Sequence, residues 1–259
     1  SLMQPAFESI DIIIAQFDSD KVRLNEITKP KTIDVCGNLK FDQAVPHELK
    51  EIATNIKKDW AIDGELRPTL IAASTHEGEE EIILNAFNII QETYPNSLLI
   101  LVPRHLERFD QVKELLKESK LDFVTRSNKS DVTKTTKVLL GDTIGELNFL
   151  YSLSNVAFVG GSLIDHGGQN LLEPAAQGLA ILSGPSLRNF SDISKQLISS
   201  DALDIINNSL ELSERFLFLI KNKEIALERG QSAYKVFSDN RGALDNIFNK
   251  IKPSIDNFI

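Results

Sequence analysis

Residues 156–178 read VAFVGGSLIDHGGQNLLEPAAQG. An apolar, β-branched run is followed by four glycines, an amide pair and a carboxylate before any helix can begin. Gly160, Gly161, Gly167 and Gly168 lack Cβ atoms, so this backbone can take positive φ and admit a ligand closely. Pro174 suits a first helical turn, where its missing N–H is no loss, and this puts Glu173 at the helix mouth. Free N–H groups at such a mouth favour phosphate, but a carboxylate beside them repels it. Glu173 is therefore suited to a neutral diol such as ribose, with Asn170 holding another polar edge. The same two residues also have capping-box spacing, which needs no ligand, although a helix capped at Asn170 would want the N–H that Pro174 lacks.

Three other loops carry comparable residues. Gly141 and Gly145 bracket Asp142, Thr143 and Ile144, leaving Gly145 and Glu146 at a helix start. That is either a tight turn with an acidic first residue or a slot where backbone groups read the edge of a base. Pro103-Arg104-His105 follows the apolar run LLILV, where Arg104 can fork onto phosphate oxygens or form a surface ion pair. His76 and His105 can donate to an anion or serve as ordinary loop histidines. Ser74 and Thr75 offer hydroxyls ahead of Glu79, Glu80 and Glu81, which read as a solvated, dipole-matched helix start without chemistry.

The familiar alternatives are missing. The chain has no G-x-x-x-x-G-K-[ST] and no G-x-G-x-x-G, and no G-x-S-x-G elbow. Four histidines and one cysteine are too scattered for a zinc set. Metal-free binding of a nucleotide through loops remains.

Those loops need a frame, and the pattern supplies one. Short apolar runs at 11–17, 32–37, 69–74, 97–102, 122–125, 137–142, 156–161 and 180–184 read as strands. Helical patterns cover Val45–Lys58, Glu79–Glu92, Phe109–Glu118, Glu146–Ser154 and Pro174–Gln177, with a helical tail from Leu210. Helical crossovers between near-continuous apolar strands imply a parallel sheet covered on both faces, an α/β doubly wound fold. In such sheets ligands collect beyond the carboxyl ends of the strands, which is where the four loops fall.

The 259 residues, 42% hydrophobic and 25% charged, are ordinary for a globular chain. A net charge of −9 argues against nucleic acid as a partner. Cys36 reads as a small buried hydrophobe and fits a reducing compartment. No run approaches the roughly 20 apolar residues of a membrane span, and a soluble chain is expected. Residues 11–27 give one strand and helix that stop at Lys29-Pro30-Lys31, so 1–29 read as the end of a preceding domain and 30–259 as a second domain.

GNLKFD (37–42), IAASTHEGEEE (71–81), LILVPRHLERF (99–109), LLGDTIGELNFLY (139–151) and the 156–178 stretch, in that order, resemble the C-terminal half of bacterial Kdo transferases. These move 3-deoxy-D-manno-octulosonic acid (Kdo) from CMP-Kdo to a lipid A precursor in lipopolysaccharide biosynthesis, on the cytoplasmic face of the inner membrane. The resemblance implies a GT-B glycosyltransferase whose Rossmann-like C-terminal half holds the donor. Pro103, Arg104, Ile144, Gly145, Glu146, Asn170, Leu171, Leu172 and Glu173 would contact CMP, with Ser74 and Thr75 near the phosphate or the Kdo carboxylate. It implies no cofactor and no metal.

The family's general base, acceptor groove and membrane-binding surface belong to the N-terminal half. By the resemblance no catalytic residue is expected here, and these residues alone would not turn over. Two positions depart from the family pattern: Gln169 stands where GGHN has histidine, and Leu106 where PRHPERF has proline. Two rival readings remain, another GT-B enzyme such as a sugar-nucleotide epimerase, which would prefer a uridine nucleotide, and a non-catalytic nucleotide-binding module.

Overall fold

The structure is a computed structural model that describes residues 4–27, 32–42 and 48–256. It divides into two compact units, Ser1–Ala44 with Phe237–Ile259, and Val45–Val236.

The first unit contains α1 (Gln4–Glu8), β1 (Ile13–Ala15), α2 (Asp18–Ile27) and β2 (Ile33–Val35). β1 and β2 pair in parallel, Ile13 opposite Ile33, and Cys36 just beyond is buried. The unit ends on the helix Ala243–Asp256. The Asp42 carboxylate accepts from the Gly242 and Leu244 amides at 2.6 and 2.7 Å, supplying acceptors at that helix's start. The expected boundary at Lys29-Pro30-Lys31 and the first residues of the Val45–Lys58 helix lie outside the described residues. β2 groups with β1, on the far side of that expected boundary.

The second unit runs α3 (Glu48–Asp59), β3 (Thr69–Thr75), α4 (Glu79–Thr93), β4 (Leu98–Pro103), α5 (Phe109–Glu118) and β5 (Phe123–Thr125). It continues with β6 (Val138–Leu140), α6 (Leu147–Ser152), β7 (Val156–Val159), α7 (Leu172–Gln177) and β8 (Ala180–Ser183). Then follow α8 (Ser191–Ser199), β9 (Leu203–Ile205), α9 (Ser209–Lys221) and α10 (Lys223–Asp239), the last three residues of which are grouped with the first unit.

Seven strands form one sheet in the order β5-β6-β4-β3-β7-β8-β9, every pair parallel. β3 alternates between two cores. Leu70 and Ala72 face Ile83, Phe87 and Ile90 of α4 and Phe216 of α9; Ile71 and Ala73 face Ala53 of α3 and Leu150 and Tyr151 of α6. Both sets are apolar because helices cover both faces, as the sequence pattern requires of a parallel sheet.

The expected strands are all present, most trimmed at their ends, while β3 and β4 each run one residue further than expected. β9 and α8 escape the sequence pattern: LDI is too short, and too polar at its centre, to stand out from a loop.

At the N-terminal edge of the sheet, Arg67 is buried. Its guanidinium donates to the carbonyls of Asn96, Ser97, Thr133 and Thr136, at 2.8, 3.1, 3.1 and 2.5 Å respectively.

Candidate nucleotide site

β3 has β4 on one side and β7 on the other, so connections leave it in opposite directions and a crevice opens at the carboxyl ends. The loops after β3 and β7 meet there through Glu79. This carboxylate is fully buried and accepts four amides: His76 at 3.0 Å, Gly161 at 2.6 Å, and Ser162 and Leu163 both at 2.9 Å. Glu80, equally buried, accepts from the Thr75 hydroxyl at 2.7 Å and pairs with Arg108 at 2.6 Å. The expectation of a solvated acidic helix start is therefore wrong for two of its three residues. The signal was in the spacing. Glu79, Ile83, Phe87 and Ile90 lie on one helical stripe, and that stripe is buried.

Glycine serves a different purpose here from the one expected. A Cβ on Gly160 would lie 2.7 Å from the Ser74 carbonyl and 2.8 Å from Glu79 Oε2, so its absence lets two loops touch. Gly161, Gly167 and Gly168 do take positive φ, but the room beside them is filled by His76 and Gln169, Asn189 and Arg188, and Leu187. The close approach is made by the protein's own chain.

Three imidazoles meet at this crevice. His76, after β3, stacks on His166 at 4.4 Å between centroids and meets His105 edge-on at 5.3 Å. Gln169 Nε2 lies 3.0 Å from His76 Nε2. Burial first, then the positive fields of His166, His105, Arg108 and Arg104, hold His76 down to about 4. Arg104 is exposed, and its amide donates to the Thr75 carbonyl at 2.9 Å. Sequence reasoning weighed His76 and His105 as loop residues, did not single out His166, and could not see that β3, β4 and β7 bring the three together.

On the other side of β4, the turn after β6 presents Ile144, 73% exposed. Beside it Gly145 has φ +81° and nothing within 4 Å of where a Cβ would stand. The Glu146 carboxylate turns away onto Arg126, 2.8 Å, and accepts from the Thr143 hydroxyl at 2.5 Å. The Arg126 hydrogen bond in particular holds Glu146 below the usual carboxylate range, with Thr143 and the Arg126 charge adding to it against partial burial. What this turn leaves facing outward is the backbone and Ile144.

α6 packs beside α7, and Gln177 Nε2 donates to the Asn148 carbonyl at 3.1 Å. The last residue of α7 thus meets the first turn of α6. Glu173, in the first turn of α7, is half-buried. Burial first, and then the Glu173 charge, raise the Tyr151 phenol well above its usual range. Asn170 Oδ1 accepts from the Leu172 amide at 3.1 Å, so the local capping role is real, but it stops short of Pro174. Leu171 and Leu172 are buried, which leaves their backbone for any contact. Thr75 is buried as well, its hydroxyl engaged by Glu80 as described above. Ser74, at a register shift in β3, has φ +56°, a conformation that non-glycine residues rarely adopt.

Among the described residues no group of three or more His, Cys, Asp or Glu is arranged to hold a metal ion, and no helix is long and apolar enough to cross a membrane.

No family model matches the chain. The chain is 38% identical to the 3-deoxy-D-manno-octulosonic acid transferase of Haemophilus influenzae, over 98% of its own length and 59% of the enzyme's. In three dimensions it superposes on the C-terminal CMP-Kdo binding domain of WaaA from Acinetobacter baumannii with a TM-score of 0.69 and 32% identity. That match covers 74% of this chain and 98% of the domain. The chain belongs to the Kdo transferase family.

A sucrose-phosphate synthase from Thermosynechococcus elongatus, 14% identical with a TM-score of 0.57, has the same fold. The seven-stranded sheet is thus that of the C-terminal half of a GT-B glycosyltransferase. The chain spans 59% of the Haemophilus Kdo transferase and 46% of the one from Bordetella pertussis.

Proposed function

We propose that the chain binds CMP-Kdo as the donor half of an inverting Kdo transferase that acts on a lipid A precursor. The observation that carries this is the 32% identity across 98% of a CMP-Kdo binding domain. The crevice supports it with a left-handed Ser74, an exposed Ile144 beside an open Gly145, and a cationic rim.

In this reading the cytosine edge lies on the backbone of Ile144–Glu146. The ribose diol hydrogen-bonds to Glu173 and the Asn170 region, and the phosphate meets Arg104. Pro103, Leu171 and Leu172 shape the pocket through their backbone, and Ser74 stands at the phosphate or sugar end. The acceptor hydroxyl attacks the anomeric carbon from the face opposite CMP, so the configuration inverts. CMP departs with its phosphate charge met by a guanidinium and amide N–H groups already in place, which need no reorganisation at the moment of reaction. The general base that activates the acceptor, the acceptor groove and the membrane-facing surface are assigned to the rest of the enzyme, and no catalytic base is assigned within these residues.

Calorimetry with CMP, UMP and AMP tests the assignment. CMP is expected to bind best. A preference for UMP or AMP, or no binding of any of the three, refutes it.

A further inference from the structure

We propose that His76, His105 and His166, together with Arg104, form an oxyanion subsite at the crevice between β3, β4 and β7. Its ligand is a phosphate or carboxylate of the donor. The inference rests on the nucleotide reading above only for the identity of that donor.

Four observations carry it. First, the rings converge from three separate loops. Second, three acids beside them, Glu79, Glu80 and Asp165, are already matched. Glu79 is held by four amides, Glu80 by Arg108 and Thr75, and Asp165, next to His166, by Arg188 and Ser186. Third, Arg104 has no carboxylate partner among the described residues. Its guanidinium is thus free to meet an anion, and its charge is among the positive fields that, after burial, lower His76. Fourth, the His76 and His166 rings lie face to face at 21°, which points their nitrogens outward along the ring planes and not at a shared centre. That geometry suits several hydrogen bonds to separate oxygens of one anion and is wrong for a chelated metal.

The division of labour follows from the chemistry. His76, kept neutral, has a ring nitrogen against Gln169 and the other for an anion oxygen, while Arg104, always charged, supplies the Coulomb attraction. A donor whose anomeric carbon bears both a carboxylate and a phosphate ester puts two anionic groups within a few bonds of each other, so either can occupy the subsite.

The test is an NMR titration of the imidazole resonances of the full chain with inorganic phosphate, Kdo, CMP and cytidine, each added separately. Phosphate, Kdo or CMP is expected to shift the His105 and His166 signals, and cytidine to leave them in place. A response to Kdo without phosphate assigns the subsite to the sugar carboxylate, and the reverse assigns it to the nucleotide phosphate. In a His105→Gln/His166→Gln double variant, the responding anion should bind about 10- to 100-fold more weakly, with cytidine affinity unchanged. Imidazoles that ignore phosphate, Kdo and CMP alike overturn the subsite. Imidazoles that respond to phosphate or Kdo in a chain that binds neither CMP nor cytidine overturn the nucleotide reading and leave the subsite standing.

Discussion

Replacing Glu79 by glutamine keeps its size and removes its charge. Each carboxylate oxygen receives two amides: His76 and Gly161 on one, Ser162 and Leu163 on the other. A glutamine keeps one acceptor oxygen and must turn its NH2 group toward the remaining two N–H groups. Two charge-assisted bonds at about 1.5–3 kcal/mol each are lost. Burying an amide costs less than burying a carboxylate, so the net destabilisation is expected at about 2–4 kcal/mol. The damage should centre on the loop after β7, which these bonds fix. Urea unfolding gives the global figure, and amide hydrogen exchange at Gly161, Ser162 and Leu163 gives the local one. CMP affinity should fall in parallel, because the crevice loses one wall. A variant within about 1 kcal/mol of the parent, with those three amides still protected, would refute the idea that one buried carboxylate organises this loop.

Arg104→Ala and Glu173→Gln should each weaken CMP binding by about 1–3 kcal/mol, read by calorimetry; unchanged affinity in both defeats the pocket assignment. His76 sits folded at about 4, below its usual 6.5. The unfolded chain therefore binds the extra proton first as pH drops. Stability supplied by neutral His76 is present above about 6.5 and is lost as pH falls toward 4, and His76→Gln should flatten that part of the stability profile. Gly160→Ala should cost about 1–3 kcal/mol in urea unfolding, since the new methyl meets Ser74, Thr75 and Glu79 at 2.7–2.8 Å.

The sheet was legible because helices on both faces force every residue of its inner strands to be apolar, and LLILV advertises that burial. The loops were legible because glycine, proline and lone polar residues interrupt those runs at the carboxyl ends. Glu79 and Glu80 were not. Three consecutive acids look solvated when composition is read locally, and only the stripe they share with Ile83 and Phe87 tells otherwise. Thr75 misled in the same way, its hydroxyl being directed inward by a carboxylate five residues ahead. The histidine cluster could not be read at all, because it depends on β7 inserting beside β3, a pairing between residues 86 positions apart. The glycine-rich stretch was recognised as special for a reason that proved incomplete: its missing side chains make room for neighbouring backbone.

Arg67 has a bearing on how such a scaffold can change. One planar cation clamps four carbonyls from two connections at the foot of the sheet, a spread of directions that a lysine's single ammonium cannot match. With its base pinned this way, the opposite rim is free to be rewritten turn by turn. New specificities on this framework should therefore be sought by grafting loops at the top, and an Arg67→Lys scaffold should tolerate fewer of those grafts.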